Sequence, residues 1–433
     1  MKDTVNVFWF RRDLRLNDNH GLFEALKSGL KVMPVFIFDV NILDKLPSTD
    51  ARVAFIHQRI HHLNKQLSDF GSRISVFYGN PSDIFSRLIA YYKIGSVFTN
   101  HDYEPYAKER DNIVSELLKK SGIGFRTYKD QVLCEPGEIV KPDGTAYTVF
   151  TPYSKKWLAK LQESGIQHYQ SEKLLDQFID DDLHENPSLA EMGFNRPSVH
   201  FPDPEIPENL IRNYAETRNF PGLDSTSRLG VHLRFGTISV RECISLGQEL
   251  STAWLNELIW REFFIQILGL FPRVVNNAFK PIYERIQWLN DEELFRRWCE
   301  GKTGYPLVDA GMRELEKTGF MHNRVRMVVA SFLTKHLLID WRWGEAWFAE
   351  KLLDFELSSN NGNWQWAAGC GCDAAPYFRI FNPMEQARKF DPDLVYIRKW
   401  IPEFGTSSYP QPVVDHAWAR NRCLVAFKSA LKP

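Results

Sequence analysis

The sequence predicts two kinds of fold in one chain: an α/β N-terminal domain around a parallel, Rossmann-like sheet, and an all-α C-terminal domain, joined by a long linker. Three observations carry this. Strand and helix signals alternate through residues 1–130, proline and glycine break the pattern over 131–200, and helical spacing dominates 201–433.

The apolar run Val5–Phe10 reads as the first strand, Leu22–Leu30 as a helix and Val32–Phe38 as the second strand. Val53–Leu67 carries apolar residues at helical spacing. Ile74–Tyr78 is a strand closed by Gly79-Asn80-Pro81, with a helix at Ser82–Tyr91 behind it. Val97–Thr99, Pro105–Lys119 and Phe125–Tyr128 complete the series. Repeated βα units imply a parallel sheet covered by helices. No GxGxxG follows the first strand, so the usual dinucleotide fingerprint is missing. Its place is taken by Phe10-Arg11-Arg12-Asp13-Leu14-Arg15-Leu16-Asn17-Asp18-Asn19, a charge run that reads most simply as a solvated βα loop. Glu135-Pro136-Gly137, Lys141-Pro142-Asp143-Gly144 and five prolines from Pro187 to Pro207 mark the linker. Beyond it, Leu255-Leu258-Ile259 and Val325-Val328-Val329-Phe332 show helical spacing.

The formal net charge is -1. The first 195 residues hold 24 Lys+Arg against 26 Asp+Glu, and the remainder 29 against 28, so neither half is basic. Any nucleic acid must be held by a focused arginine set and not by bulk attraction. No apolar run approaches the ~20 residues that span a bilayer, and no signal-type segment opens the chain. Six scattered cysteines suit free thiols in a reducing compartment, and Cys370-x-Cys372 has the wrong spacing for a zinc knuckle. The expectation is a soluble, cytoplasmic protein without a metal site. The unusual feature is aromatic: of 13 tryptophans, only Trp9 and Trp157 lie in the first 200 residues.

Four strings concentrate polar and aromatic chemistry. Tyr214-x-x-x-Arg218-x-Phe220-Pro221 precedes Asp224-Ser225-Thr226-Ser227-Arg228-Leu229, whose hydroxyls can cap a helix or hold a phosphate at its N-terminus. Trp254–Phe264 places Trp254, Glu257, Leu258 and Arg261 on one helical face. Gly304–Ala310 and Met321–Met327 set polar side chains inside an apolar helical pattern. Asp354–Trp366, continued by Asp373–Pro383, offers paired acids, three asparagines and two tryptophans, a set suited to a large planar heterocycle.

Together these strings resemble the DNA photolyase/cryptochrome family, and most closely its class I cyclobutane pyrimidine dimer photolyases. The likeness runs along nearly the whole chain. It implies an antenna domain at 1–130, an interdomain connection at 131–200, and a helical domain at 201–433 that binds a folded FAD and the DNA lesion. It implies FAD contacts from Tyr214, Thr226, Ser227, Arg228, Leu229, Gly230, Trp254, Arg261, Arg326, Asp354, Glu356 and Asn360, with Asn360 facing flavin N5. Glu356 stands where many members have Asp, and Gly230 where some have Ser. For DNA it implies Arg218, Arg324 and Arg379 on phosphates, and Glu257, Trp260, Asn323, Met327 and Trp366 around a flipped-out dimer, without base-sequence readout. Catalysis would rest on Glu257 and Asn360, and on an electron-hopping chain of Trp364, Trp341 and Trp288. Trp298, Trp343, Trp347, Trp400 and Trp418 are left to core packing.

Arg52, Asp102 and Glu104 resemble an antenna pocket for a deazaflavin or flavin-like chromophore. Tyr106, Ala107 and Val275 at the folate-contacting positions speak against methenyltetrahydrofolate. The implied activity is light-driven repair by a monomer. The alternatives are a cryptochrome-type blue-light photoreceptor, which would usually carry an extension beyond the helical core, and a (6-4) photolyase, which would carry a His-His pair where this chain has His322-Asn323.

Overall fold

The computed structural model describes residues 3–179, 186–205 and 207–432. Five strands, β1 (Val5–Phe10), β2 (Val32–Asp39), β3 (Ser75–Gly79), β4 (Ile94–Asn100) and β5 (Gly124–Tyr128), pair in parallel in the order β3-β2-β1-β4-β5. β1 and β2 are buried along their whole length. Helices on both faces explain why these strands read as unbroken apolar runs and not as alternations. The helices His20–Leu26, Ala51–Leu67, Pro81–Tyr91 and Pro105–Lys120 fill the connections, each near its expected place. The helix expected to reach Leu30 stops at Leu26, because Gly29 turns the chain at φ +85° into β2.

Strand order reverses between β1 and β4, the topological position at which open α/β sheets take ligands. The charge run after β1 lies here. It is not solvated: Asp13, Arg15, Asp18 and Asn19 are all buried. Arg15 reaches Asp130 at 2.7 Å, while Arg241 reaches Asp130 at 2.8 Å and Asp18 at 2.9 Å. Charges taken out of water need such partners.

The chain divides into two units. The first comprises 1–138, 157–204 and 229–249; the second comprises 139–156, 205–228 and 250–433. The stretch 229–249, which the sequence reading grouped with the helical part, goes with the sheet because Ser239 and Arg241 bond to Asp18 and Asp130. The linker holds a helix, Phe150–Ser164, whose signal is the four-residue spacing of Tyr153, Trp157 and Leu161, all buried.

Described by itself, the second unit is helical. Its core gathers Trp298, Val325, Val329, Phe332, Trp341, Phe348 and Trp364 from the helices Glu292–Cys299, Asn323–Ser331, Trp341–Lys351 and Leu357–Ala368, and from a π-helical turn at Phe332–His336.

Candidate functional site

Two helices carry most of the polar residues singled out above. Thr252–Leu270 is capped by Ser251, whose hydroxyl accepts the Trp254 N–H at 3.4 Å, and it is apolar nearly all round, as a fully packed helix should be. Leu357–Ala368 packs against it. Gly362 sets their separation, since a Cβ there would lie 2.1 Å from the Phe264 ring. On its other side Leu357–Ala368 meets Trp341–Lys351, where a Cβ on Gly344 would lie 2.1 Å from the Trp364 ring.

Leu357–Ala368, Trp341–Lys351, Asn323–Ser331 and the stretch 352–356 enclose a cavity of about 610 Å³, counting its open mouth; Thr252–Leu270 contributes no residue to its lining. Asn323, Arg326, Met327, Asp354, Glu356, Asn360, Trp364 and Trp366 line it, over an apolar floor of Phe348 and Leu352. Arg326 donates to both oxygens of Asp354, at 3.2 and 2.9 Å, and to the Met321 carbonyl at 2.6 Å. Arg261 donates to Glu356 at 3.0 Å, a largely buried pair. Asn360 spends its amide Nδ2 on Glu345, at 3.0 Å to the carbonyl and 3.1 Å to Oε1, which leaves Oδ1 as the acceptor end. Burial pushes the Glu345 carboxyl up to about 6, against the opposing pull of that Asn360 bond.

Arginines gather nearby. Arg218 pairs with Glu257 and lies 5.2 Å from the Tyr214 ring centre. Residues expected to meet a phosphate and a base edge separately are thus joined to each other. Burial raises the Glu257 carboxyl even so, and burial with the Glu257 charge raises the Tyr214 hydroxyl. Arg324 donates to Asn219 at 2.5 Å and lies 4.3 Å over the Phe390 ring. Burial lowers its pKa, and Arg218 and Arg379 lower it further, so the three cations lie within reach of one another. Arg379 is exposed, its guanidinium 5.8 Å from the Phe381 ring.

His322 sits among Arg326, Arg324, Arg228 and Arg218, and burial together with these charges lowers it to about 4. Its Nδ1 accepts the Arg324 N–H at 3.2 Å and caps the helix, which assigns the proton to Nε2. Phe320 is contacted by Arg228 at 5.0 Å and Arg326 at 5.6 Å, linking the 224–228 loop to the cavity wall. In that loop Arg228 takes φ +50° and pairs with Asp224 at 2.9 Å, while the Thr226 and Ser227 hydroxyls have no partner among the described residues. Leu229 and Gly230 open the next helix, in the first unit.

Trp254 is buried. Trp260 is partly exposed, and one of its faces is covered by Phe150, stacked at 3.6 Å and 4°. Phe150 had no signal in the sequence beyond being an aromatic at a linker helix start. Trp364 meets Phe348 at 5.0 Å and Trp298 at 6.2 Å, both edge to face. Trp341 is buried with the Arg342 guanidinium 4.8 Å away, and Trp288 is half-buried against Phe427 at 5.9 Å.

In the first unit, Arg12 bridges Asp102 at 3.2 Å and Glu104 at 3.0 Å, and Arg234 reaches Glu104 at 2.5 Å. Burial works to raise Asp102, but Arg12, Arg11, Arg110 and Arg234 hold it well below the usual carboxylate range. Arg52 pairs with Asp50.

Residues 6–172 match the DNA photolyase family, and residues 254–408 match the FAD binding domain of DNA photolyase. A deoxyribodipyrimidine photo-lyase of Vibrio cholerae is 35% identical over 471 residues, covering 98% of this chain and 100% of that protein. The chain belongs to the DNA photolyase family. A bacterial class III photolyase from Agrobacterium tumefaciens superposes with a TM-score of 0.86 at 32% identity, covering 100% of this chain and 99% of the other. An archaeal photolyase from Sulfolobus tokodaii, solved with two FAD molecules, gives 0.81 at 32% identity, covering 98% and 100%.

The photolyase FAD-binding domain contains every cavity residue named above. The donor set fits that cofactor. Arg326 with Asp354, Glu356 and the Asn360 oxygen present both hydrogen-bond donors and acceptors to the edge of a planar ring, over an apolar floor, and the free Thr226 and Ser227 hydroxyls suit a phosphate. Among the described residues, no helix is long and apolar enough to cross a membrane.

Proposed function

We propose that this photolyase-family chain repairs cyclobutane pyrimidine dimers in DNA under blue light. The observation that carries the reading is one cavity that unites the residues suited to a flavin (Arg326, Asp354, Glu356, Asn360) with residues suited to a lesion (Asn323, Met327, Trp366).

Bound, fully reduced FAD would supply the electron that opens the cyclobutane ring and take it back afterwards, with no net redox change. The protein's part is placement. Arg326, paired to Asp354, and Glu356, paired to Arg261, hold the ring edge, and Asn360 offers its amide oxygen to a protonated ring nitrogen. Trp254 and Tyr214 would pack beside the cofactor, and Thr226, Ser227 and Arg228 would take its phosphate side. Arg218, Arg324 and Arg379 grip DNA phosphates, which positions the strand without reading sequence. A dimer stacks poorly and is cheap to extrude. Trp366 and the open face of Trp260 receive it, with Asn323 and Met327 alongside. When Arg218 turns to a phosphate, Glu257 is released to hydrogen-bond the base edge, where negative charge develops. Trp364, Trp341 and Trp288 would carry electrons from solution to the cofactor when it is bound. Asn323, where (6-4) enzymes carry histidine, favours the cyclobutane dimer as substrate.

The test is direct: reduced, FAD-loaded protein is illuminated with dimer-containing DNA. Restored bases support the reading, and intact dimers with reduced FAD in place overturn it.

A second chromophore, deazaflavin or flavin-like, is proposed for the first unit at Arg52, Asp102 and Glu104; Asp102 and Glu104 are held together by Arg12, Glu104 also by Arg234, and Arg52 is paired with Asp50. An absorption spectrum with chromophore extraction checks it, and folate or nothing beyond FAD in the extract would refute it.

A further inference from the structure

One edge of the sheet carries a three-residue arrangement that dimer repair does not use. β5 is the last strand of the sheet, and Thr127 on it is exposed. His101 directly follows β4, and Glu135 lies in the stretch after β5; all three belong to the first unit. The Thr127 hydroxyl and His101 Nε2 are 2.8 Å apart, and His101 Nδ1 is hydrogen-bonded to Glu135 Oε1. Tyr103 donates its hydroxyl to the same Glu135 oxygen at 2.8 Å. The backbone of His101 is fixed as well: its N–H donates to the Tyr128 carbonyl at 2.7 Å, and its carbonyl accepts Gln131 Nε2 at 2.8 Å.

We propose that Thr127, His101 and Glu135 form a hydroxyl–imidazole–carboxylate triad that hydrolyses small, unhindered acyl esters at the sheet edge, independently of light and of FAD.

The hydrogen bonds assign the protons. An ionised carboxylate only accepts. Burial works to raise the Glu135 carboxyl, but the bonds from His101 and Tyr103 hold it below its ordinary value, so it is ionised at neutral pH. His101 Nδ1 is then the donor, which leaves the lone pair of Nε2 to accept the Thr127 proton. A nucleophile, a base and an orienting acid in this protonation state are what acyl transfer requires. Tyr128 turns its carbonyl toward β4, so in the alternation of a parallel pair Thr127 turns its own N–H to the open edge, where no strand pairs with it among the described residues. A backbone N–H beside the attacking oxygen is placed to stabilise the oxyanion of a tetrahedral intermediate. Thr127 Oγ attacks the ester carbonyl carbon while Nε2 takes its proton. The bond from that carbon to the alkoxy oxygen breaks, and the alcohol leaves with the proton. Water, deprotonated by Nε2, then attacks the threonyl ester; the bond to Oγ breaks, Thr127 recovers a proton and the carboxylic acid departs. No electron is exchanged. The methyl group on the Thr127 Cβ crowds the attack, so the acyl group should be short and unbranched.

The experiment uses full-length, FAD-loaded protein in the dark, with para-nitrophenyl acetate as the probe and released nitrophenol read by absorbance. Thr127→Val keeps the side-chain shape, removes the hydroxyl and sits at an exposed position, so the fold is not at risk. It should lower the rate about a hundredfold, and His101→Gln should do the same. The double variant should be no slower than either single one, because the two residues act as a unit. Glu135→Gln can donate to Nδ1 and so favours the wrong tautomer, and a comparable loss is expected. All of these variants should retain FAD. The proposal is overturned if Thr127→Val is as fast as the parent, since the ester is then attacked by an imidazole or an amine without the threonine. It is overturned equally if the parent is no faster than free imidazole at the same concentration. Neither result depends on whether the protein repairs dimers.

Discussion

Gly362→Ala tests whether the spacing of the two site helices is set where the structure puts it. In an exposed helix this change should stabilise, because alanine has the better helix propensity by about 1 kcal/mol. Here the new methyl would lie 2.1, 2.4 and 2.9 Å from three carbons of the Phe264 ring. Ordinary carbon contacts are about 3.5–4.0 Å, so the helices Leu357–Ala368 and Thr252–Leu270 must part, or Phe264 must rotate, by about 1.5 Å. Overpacking of this kind typically costs about 1–3 kcal/mol and can cost more. Set against the propensity gain, the expected net is a loss of up to about 2 kcal/mol, or at most roughly 4 °C in Tm. The functional loss should be larger than the stability loss. One helix carries Glu257, Trp260 and Arg261, and the other Asn360, Trp364 and Trp366, so a shift near 1 Å moves half the site against the other half, with repair down about a hundredfold. Thermal unfolding and the initial rate of dimer repair by pre-reduced protein read the two effects. A variant at least as stable as the parent, with repair intact, would show that Phe264 yields freely and that Gly362 sets nothing.

Trp364→Phe should slow photoreduction of oxidised protein far more than repair by pre-reduced protein; equal losses in both assays would remove Trp364 from the electron path. Glu257→Ala should lower repair yield while FAD stays bound, and an unchanged yield would refute its role beside the lesion. Asp354→Ala strands the Arg326 guanidinium on the cavity wall; a loss of about 2–3 kcal/mol and weaker FAD retention are expected, checked by denaturant unfolding and by FAD release on dilution. Glu345 supplies a pH test. Its folded pKa of about 6 lies above its ordinary value, so the folded protein binds the proton more tightly than the unfolded chain. The associated stability is present below pH 4.5 and is lost as pH rises through 6, amounting to about 2 kcal/mol by pH 7.5. Relative to Glu345→Gln, the parent should therefore weaken across that window, and parallel stability curves for the two proteins would be the contrary result.

The sheet was legible because its strands are covered on both faces and so read as apolar runs with turn residues between them. The eight expected site residues on the cavity wall were legible only through the likeness of their strings to a family; helical spacing by itself put Glu257 and Arg261 on one face but could not bring Asp354 or Asn360 into the same site. Partners across long separations stayed hidden. Arg218 and Glu257, 39 positions apart, find each other only once their helices pack. The buried charge run after β1 looked solvated because its counter-charges, Asp130 and Arg241, come from over a hundred and over two hundred positions downstream. Phe150 over Trp260 belongs to the same class, since nothing local announces a stacking partner. The five tryptophans left to core packing show the limit of a residue-by-residue reading: three of them, Trp298, Trp343 and Trp347, meet around Phe295 only in space.

The way the first unit is threaded also bears on synthesis. Its sheet is finished by Tyr128, yet Asp18 and Asp130 are buried against Arg241 and Ser239. While a ribosome is still making the intervening residues, Asp18 lacks Ser239 and Arg241 and Asp130 lacks Arg241, keeping only Arg15 and the His20 N–H, and a buried carboxylate without its full complement of partners is costly. The nascent sheet should therefore stay loose until about residue 249 has emerged, past more than half of the chain. A fragment ending at residue 204 should behave as a fluctuating globule, and appending 205–249 should lock it. The strand-and-helix half of this protein is first to be translated, but it is completed only after two stretches of the second unit, 139–156 and 205–228, have already been made.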